Sequence, residues 1–250
     1  MPDRASRKPS ITRLDDAALR QVTGGSALPL PFEVHNAATG GSYVYLGSGN
    51  DVVHAGRGVD VLRGNAGNDQ LFGEGGDDQL LGGLGDDVLD GGDGNDIIQD
   101  DAGNNTVAGG AGSDLIGLGG SASSVVDGGT GNDTIFGTLG NDQITGGEGD
   151  DIAVGGHGDD TYIWGPGQGV DQFSGAAGQD TLRLDGVSFE TLQQSLTLEQ
   201  PGLTLHQDAE TGAVTCLDAN GKPASFDGVL VLGTDKLTFS GVERIILMPA

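Results

Sequence analysis

Between residues 37 and 163 one apolar position returns every nine residues: Val44, Val53, Leu62, Leu71, Leu80, Leu89, Ile98, Val107, Ile116, Val126, Ile135, Ile144, Ala153 and Tyr162. Glycine and polar residues fill most of the steps between them. An amphipathic helix would return an apolar residue every three or four positions, and a half-buried strand every second one. A period of nine fits neither. It fits a short strand of about three residues followed by a turn of about six, coiled repeatedly so that each apolar side chain lies on a neighbour. The chain is therefore expected to be all-β over this stretch.

Inside the period the residues read Gly-Gly-x-Gly-x-Asp-x-apolar-x. The clearest copies begin at Gly82 and Gly91. Counting in nines from Ala37 gives fourteen units, with Leu118 as one extra residue that predicts a local bulge. The fourth position is glycine from Gly40 to Gly158, with Ala122 the exception, which predicts a positive φ or a close approach of two backbones. The sixth position is Asp51, Asp60, Asp69, Asp78, Asp87, Asp96, Asp114, Asp133, Asp142, Asp151 and Asp160. A general liking of aspartate for turns would scatter such residues. It does not explain aspartate at one register position in eleven of fourteen units.

Charge gives that row a purpose. The chain has 37 acidic and 11 basic residues, a net charge of -26, with 49 glycines. So acidic a chain is a poor partner for nucleic acid or an anionic membrane surface. One buried aliphatic side chain per nine ordered residues is also a thin core. Something must neutralise the carboxylates and hold the turns. Carboxylates and turn carbonyls are hard oxygen donors that suit Ca²⁺, whereas Mg²⁺ demands stricter geometry and keeps its waters.

On these residues the array resembles the RTX, or haemolysin-type, calcium-binding nonapeptide family. The resemblance covers about half the chain. It implies a right-handed parallel β-roll with two nonapeptides per coil and calcium between stacked turns, so that every second unit shares an edge. One edge then carries an unbroken row of Asp60, Asp78, Asp96, Asp114, Asp133 and Asp151. The other carries Asp51, Asp69 and Asp87, then Asn105 and Ser124 in place of aspartate, then Asp142 and Asp160. Pairing neighbours predicts about eight ions, with the second edge weak between residues 100 and 127.

The two ends lack the period. Residues 1–25 read as a short helix that starts near Thr12 and Asp15 and ends at Gly24-Gly25. Leu14, Leu19, Val22, Gly24 and Gly25 resemble the double-glycine leader of substrates exported by peptidase-containing ABC transporters, which implies cleavage after Gly25. Residues 26–36 are expected to be a linker. Residues 164–250 show apolar alternation in Leu203–Leu205, Val214–Leu217, Val229–Leu232, Leu237–Phe239 and Ile245–Met248, with a turn signal at 218–221. They predict a β-rich cap on the open end of the roll, its junction filled by Tyr162, Trp164 and Phe173. The last residues resemble the uncleaved export region of type I secreted repeat proteins.

Nothing in the sequence indicates an enzyme. His35, His54, His157 and His206 form no His-Glu-x-x-His motif, and no Gly-x-Ser-x-Gly elbow occurs. The 36 residues before the array are too few for a catalytic domain. Cys216 is single, which excludes an internal disulfide and predicts a buried thiol. No apolar run is long enough to span a bilayer, so membrane insertion is not expected. The sequence thus points to a secreted, extracellular protein that folds on calcium and serves a structural or adhesive role. A non-catalytic carbohydrate-binding module of a secreted system is the alternative.

Overall fold

The computed structural model describes Val22–Thr23, Glu33–His35 and residues 41–248. The array coils as a parallel β-roll. Odd-numbered units put their strands in one sheet and even-numbered units in the other. Strands such as Val61–Ala66, Gln79–Leu84 and Ile97–Asp100 stack in register eighteen residues apart, Leu62 on Leu80 on Ile98. The opposite sheet stacks likewise through Val88–Asp93, Thr106–Ala111, Val125–Thr130 and Gln143–Glu148, with Thr106 on Val125 nineteen apart because Leu118 adds one residue between them. All fourteen eighth-position side chains, from Val44 to Tyr162, are buried between the sheets.

The parallel stack does not stop at residue 163. Val170–Ala177 and Thr181–Asp185 add another coil, after two extra residues in the Gly165–Gly169 turn. Asp235–Val242 and Arg244–Met248 then return from far along the chain and pair parallel with those two strands. Antiparallel strands close both sheets: Phe226–Leu232 and Leu196–Leu198 on one, Val214–Leu217 and Thr204–Gln207 on the other. Tyr162 stacks on Phe173 with ring centroids 4.7 Å apart, and Trp164 is buried beside them. Cys216 is buried, and burial pushes its thiol up to about 11.

Three features differ from the sequence expectations. Phe189–Ser195 is a helix inside the cap, started by Ser188, whose side chain accepts from the Thr191 N–H. Seven residues are too short to show a periodic stripe. Val22–Thr23, expected at the end of the leader helix, is a strand that pairs parallel with Tyr43–Tyr45. Glu33–His35, expected in the linker, pairs with Val52–His54. In both cases the segment pairs with an open sheet edge, and that long-range pairing outweighs local helix or loop preference. Gly24, Gly25 and the rest of the expected leader lie outside the described residues.

Candidate metal centres on the two edges

Each sixth-position aspartate sits in the turn just before a strand. Asp51, Asp60, Asp69, Asp78, Asp87, Asp96, Asp114, Asp133, Asp142, Asp151 and Asp160 are all buried, none more than 3% exposed. Two rows result, one per edge. Within a row the backbone N–H of one aspartate donates to Oδ1 of the aspartate on the next coil: 2.7 Å from Asp60 to Asp78, 2.8 Å from Asp114 to Asp133. The same bond runs from Ser42 to Asp60 at one end. The rows continue past the repeats. Asp151 donates to Asp171, Asp160 donates to Asp180, and Asp180 donates to Glu243 Oε2 on the returning strand.

Oδ1 is thus satisfied by the chain, but Oδ2 is not. Oδ2 of Asp60, Asp69, Asp78, Asp87, Asp96, Asp114, Asp133, Asp151, Asp160 and Asp180 is buried with no hydrogen-bond partner. Burial, with a smaller contribution from like-charged neighbours, raises these carboxyls above the ordinary range. Asp69, Asp78 and Asp160 are pushed up to about 7, and Asp96, Asp114, Asp133 and Asp151 to about 6, despite backbone N–H bonds that pull the other way. A buried carboxylate oxygen without a donor is costly and calls for a proton or a cation.

Further oxygens face the same inter-coil space. Between most coils the carbonyl of a fourth-position glycine points at the fourth-position glycine of the next, as Gly94 does at Gly112. Second-position carbonyls do likewise, Glu74 toward Gly92 and Gly92 toward Gly110. A Cβ on any of these glycines would fill that cradle, and most of them have positive φ, such as Gly112 at 136°. Among the described residues, no group of three or more His, Cys, Asp or Glu side chains converges. A cation held here must therefore take backbone carbonyls along with each carboxylate. That mixed set of hard oxygens fits calcium.

The two edges are unequal. On the odd edge the unpartnered Oδ2 atoms form one continuous run from Asp60 to Asp151. It ends at Asp171, whose Oδ2 accepts from the Trp164 indole N–H at 2.5 Å. On the even edge Asn105 and Ser124 interrupt the run, although their side chains keep the backbone ladder bonded. Asp142 differs from the nine predicted ligands whose Oδ2 has no donor: its Oδ2 accepts from the Thr138 backbone at 2.6 Å and the Thr138 hydroxyl at 3.0 Å. The chain itself therefore already serves that carboxylate.

Several contributors were not visible as such in the sequence. Asp171 and Asp180 fell out of the count because the turn before them is two residues longer, although the Gly175 to Leu182 segment echoes the motif. A second ladder runs along the fifth position in the opposite sense. There the later coil donates to the earlier one, from Asn68 N–H to Asn50 Oδ1 and from Asp86 N–H to Asn68 Oδ1. The recurrence of Asn, Asp and Ser at that position was its signal. His54 lies on the surface, stacked on Phe72 and 3.2 Å from Glu74.

Comparison with known proteins matches four copies of the RTX calcium-binding nonapeptide repeat to residues 45–80, 55–89, 81–116 and 127–162. No curated protein matches the chain. Among solved structures the chain is similar to the extracellular lipase LipA from Serratia marcescens, at 19% identity and a TM-score of 0.35. The match covers 92% of this chain and 40% of that one, so this chain spans less than half of the lipase's length.

Proposed function

We infer that this protein, whose repeat array belongs to the RTX calcium-binding nonapeptide family, is secreted, folds when it meets calcium outside the cell, and then acts as a structural or adhesive surface. The observation that carries this reading is the row of buried Oδ2 atoms without donors. Bound calcium would supply the positive charge that these carboxylates lack. Asp60, Asp78, Asp96, Asp114, Asp133 and Asp151 on one edge, and Asp51, Asp69, Asp87, Asp142 and Asp160 on the other, are the residues assigned to hold about eight ions, with turn carbonyls beside them. Without a cation, adjacent carboxylates in a row repel one another and the coils lose their reason to stack.

Export draws on the same chemistry. Calcium-poor cytoplasm leaves the array extended and fit to pass through an ABC-type machine, and extracellular calcium at about 10⁻³ M then makes binding energy into folding energy. Far-UV circular dichroism of the full chain checks this: β content should appear on adding calcium and vanish in excess chelator, and a chain equally folded in both sinks the reading. Intact mass of the exported protein should begin at Ser26, after Gly24-Gly25; a mature chain that begins at Met1 removes the leader.

An adhesive or structural role is favoured by the outer face of one sheet, where Tyr43, Ile97, Leu115, Phe136 and Ile152 are all exposed. Exposed apolar side chains gathered on one face mark a contact surface. A glycan-binding role has its own support in a groove of about 770 Å³ beside the cap, where Asp159, Gln179, Glu243 and Arg244 line it together with Pro223 and Ala224. Binding to a glycan array in calcium would promote that second reading; silence there with retention on cell surfaces keeps the first. Neither role includes catalysis, in keeping with a chain built of calcium-binding repeats and a β-rich cap.

A further inference from the structure

The break in the even edge is not empty of charge. From Gly64 to Gly155 the first position of every unit is glycine except one, where Asp100 stands. The first-position glycines are buried against the row. A Cβ on Gly64 would meet Oδ2 of Asp69 and the backbone carbonyl of Gly82; Gly73, Gly91, Gly109 and Gly128 repeat the arrangement. At Gly82 the pattern changes. The two nearest oxygens are Oδ2 of Asp87 and Oδ2 of Asp100. A second carboxylate stands where other coils offer a neutral carbonyl.

Asp100 is 5% exposed and Asp87 1% exposed, and their side chains are within hydrogen-bonding reach of each other. Asp87 Oδ2 is buried with no donor. Asp100 is oriented by the backbone, its Oδ1 accepting from Ala102 N–H at 3.0 Å and its Oδ2 more weakly from Gly83 N–H at 3.3 Å. Asn105, which replaces the row's own aspartate, still accepts from Asp87 N–H at 2.9 Å and so holds the ladder in register. Burial first and the Asp87 charge second push the Asp100 carboxyl up to about 7. Two facing carboxylates in a dry turn repel strongly unless a cation lies between them.

We propose that Asp87 and Asp100 form a divalent-cation site, distinct from the others in that its second carboxylate comes from the first position of the next coil, that carries the even edge across the break at Asn105. This rests on the calcium-binding reading of the array and gives a different count of ions on that edge. Two carboxylates on one hard cation give this site the same ligand charge that pairing gives its neighbours, so it should fill with them. The break is therefore confined to the coil of Ser124.

Native mass spectrometry of the full chain at saturating calcium tests this, with far-UV circular dichroism on the same samples. Three variants are compared with the unaltered chain: Asp100→Asn, which keeps the shape and the Ala102 bond; Asp100→Gly, which restores the ordinary first position; and Asp133→Asn on the unbroken edge. The expected result is one ion fewer in both Asp100 variants, with β content retained. If Asp100→Asn binds as many ions as the unaltered chain, the pair holds a shared proton and the proposal is overturned. If the unaltered chain itself binds no calcium, the family-based reading fails instead. An Asp100→Gly chain that fails to fold leaves the count to Asp100→Asn.

Discussion

At the residue scale the roll depends on glycine and aspartate for different reasons, and only part of each was legible. Gly112 has a φ of 136° and lies against the Gly94 carbonyl, so a side chain there is strained and also intrudes on the cradle. Gly112→Ala should lower the stability of the calcium-loaded protein by about 1–3 kcal/mol or more, seen as a fall in Tm. Gly117→Ala should leave Tm unchanged, because a Cβ there meets nothing within 4 Å. Equal effects from the two would undercut the close-approach argument. Trp164→Phe removes the indole donor from Asp171 Oδ2 and leaves a buried carboxylate oxygen alone, at a cost of about 1–3 kcal/mol. The fourth-position glycines and sixth-position aspartates could be read in advance because they recur in nearly every unit. Asp100, Thr138 and the indole hydrogen bond of Trp164 to Asp171 could not, since each acts once and carries no period.

At the element scale the strands are too short to stand alone, and their stability lies in stacking between coils. Leu80 packs in register between Leu62 and Ile98, eighteen residues to either side. Leu80→Ala should cost about 2–5 kcal/mol. Each coil touches only its neighbours, so the damage should stay local. Hydrogen exchange should quicken in Val61–Ala66 and Ile97–Asp100 while Asp235–Val242 keeps its protection; loss of protection in that distant strand would instead indicate a single cooperative unit. The array strands and the cap runs at Val214–Leu217 and Arg244–Met248 were foreseeable from apolar spacing. What spacing could not reveal is that Asp235–Val242 returns to extend the roll in parallel, with Glu243 taking the place of the next aspartate. That depends on a long-range pairing, and a single glutamate carries no period.

At the scale of the whole molecule, the net charge of -26 and the two buried rows make proton and calcium alternatives to each other. The row carboxyls have ordinary values near 3.8 in the unfolded chain and are raised, chiefly by burial, to about 6 for Asp133 and about 7 for Asp69 in the calcium-free fold. Between those limits the folded chain holds protons that the unfolded chain has released. Stability without calcium is therefore greatest at the acid end and falls as pH rises through that window. Calcium prefers the ionised carboxylate, so its affinity should change in the opposite sense, weakening as protons compete for the same oxygens. In chelator, β content measured by circular dichroism should rise as pH is lowered from about 7 toward 4. In excess calcium it should stay level over most of that range. A chelated chain that remains unfolded throughout would mean that neutralising Oδ2 is not enough, and that the cation must also bridge the turn carbonyls of adjacent coils.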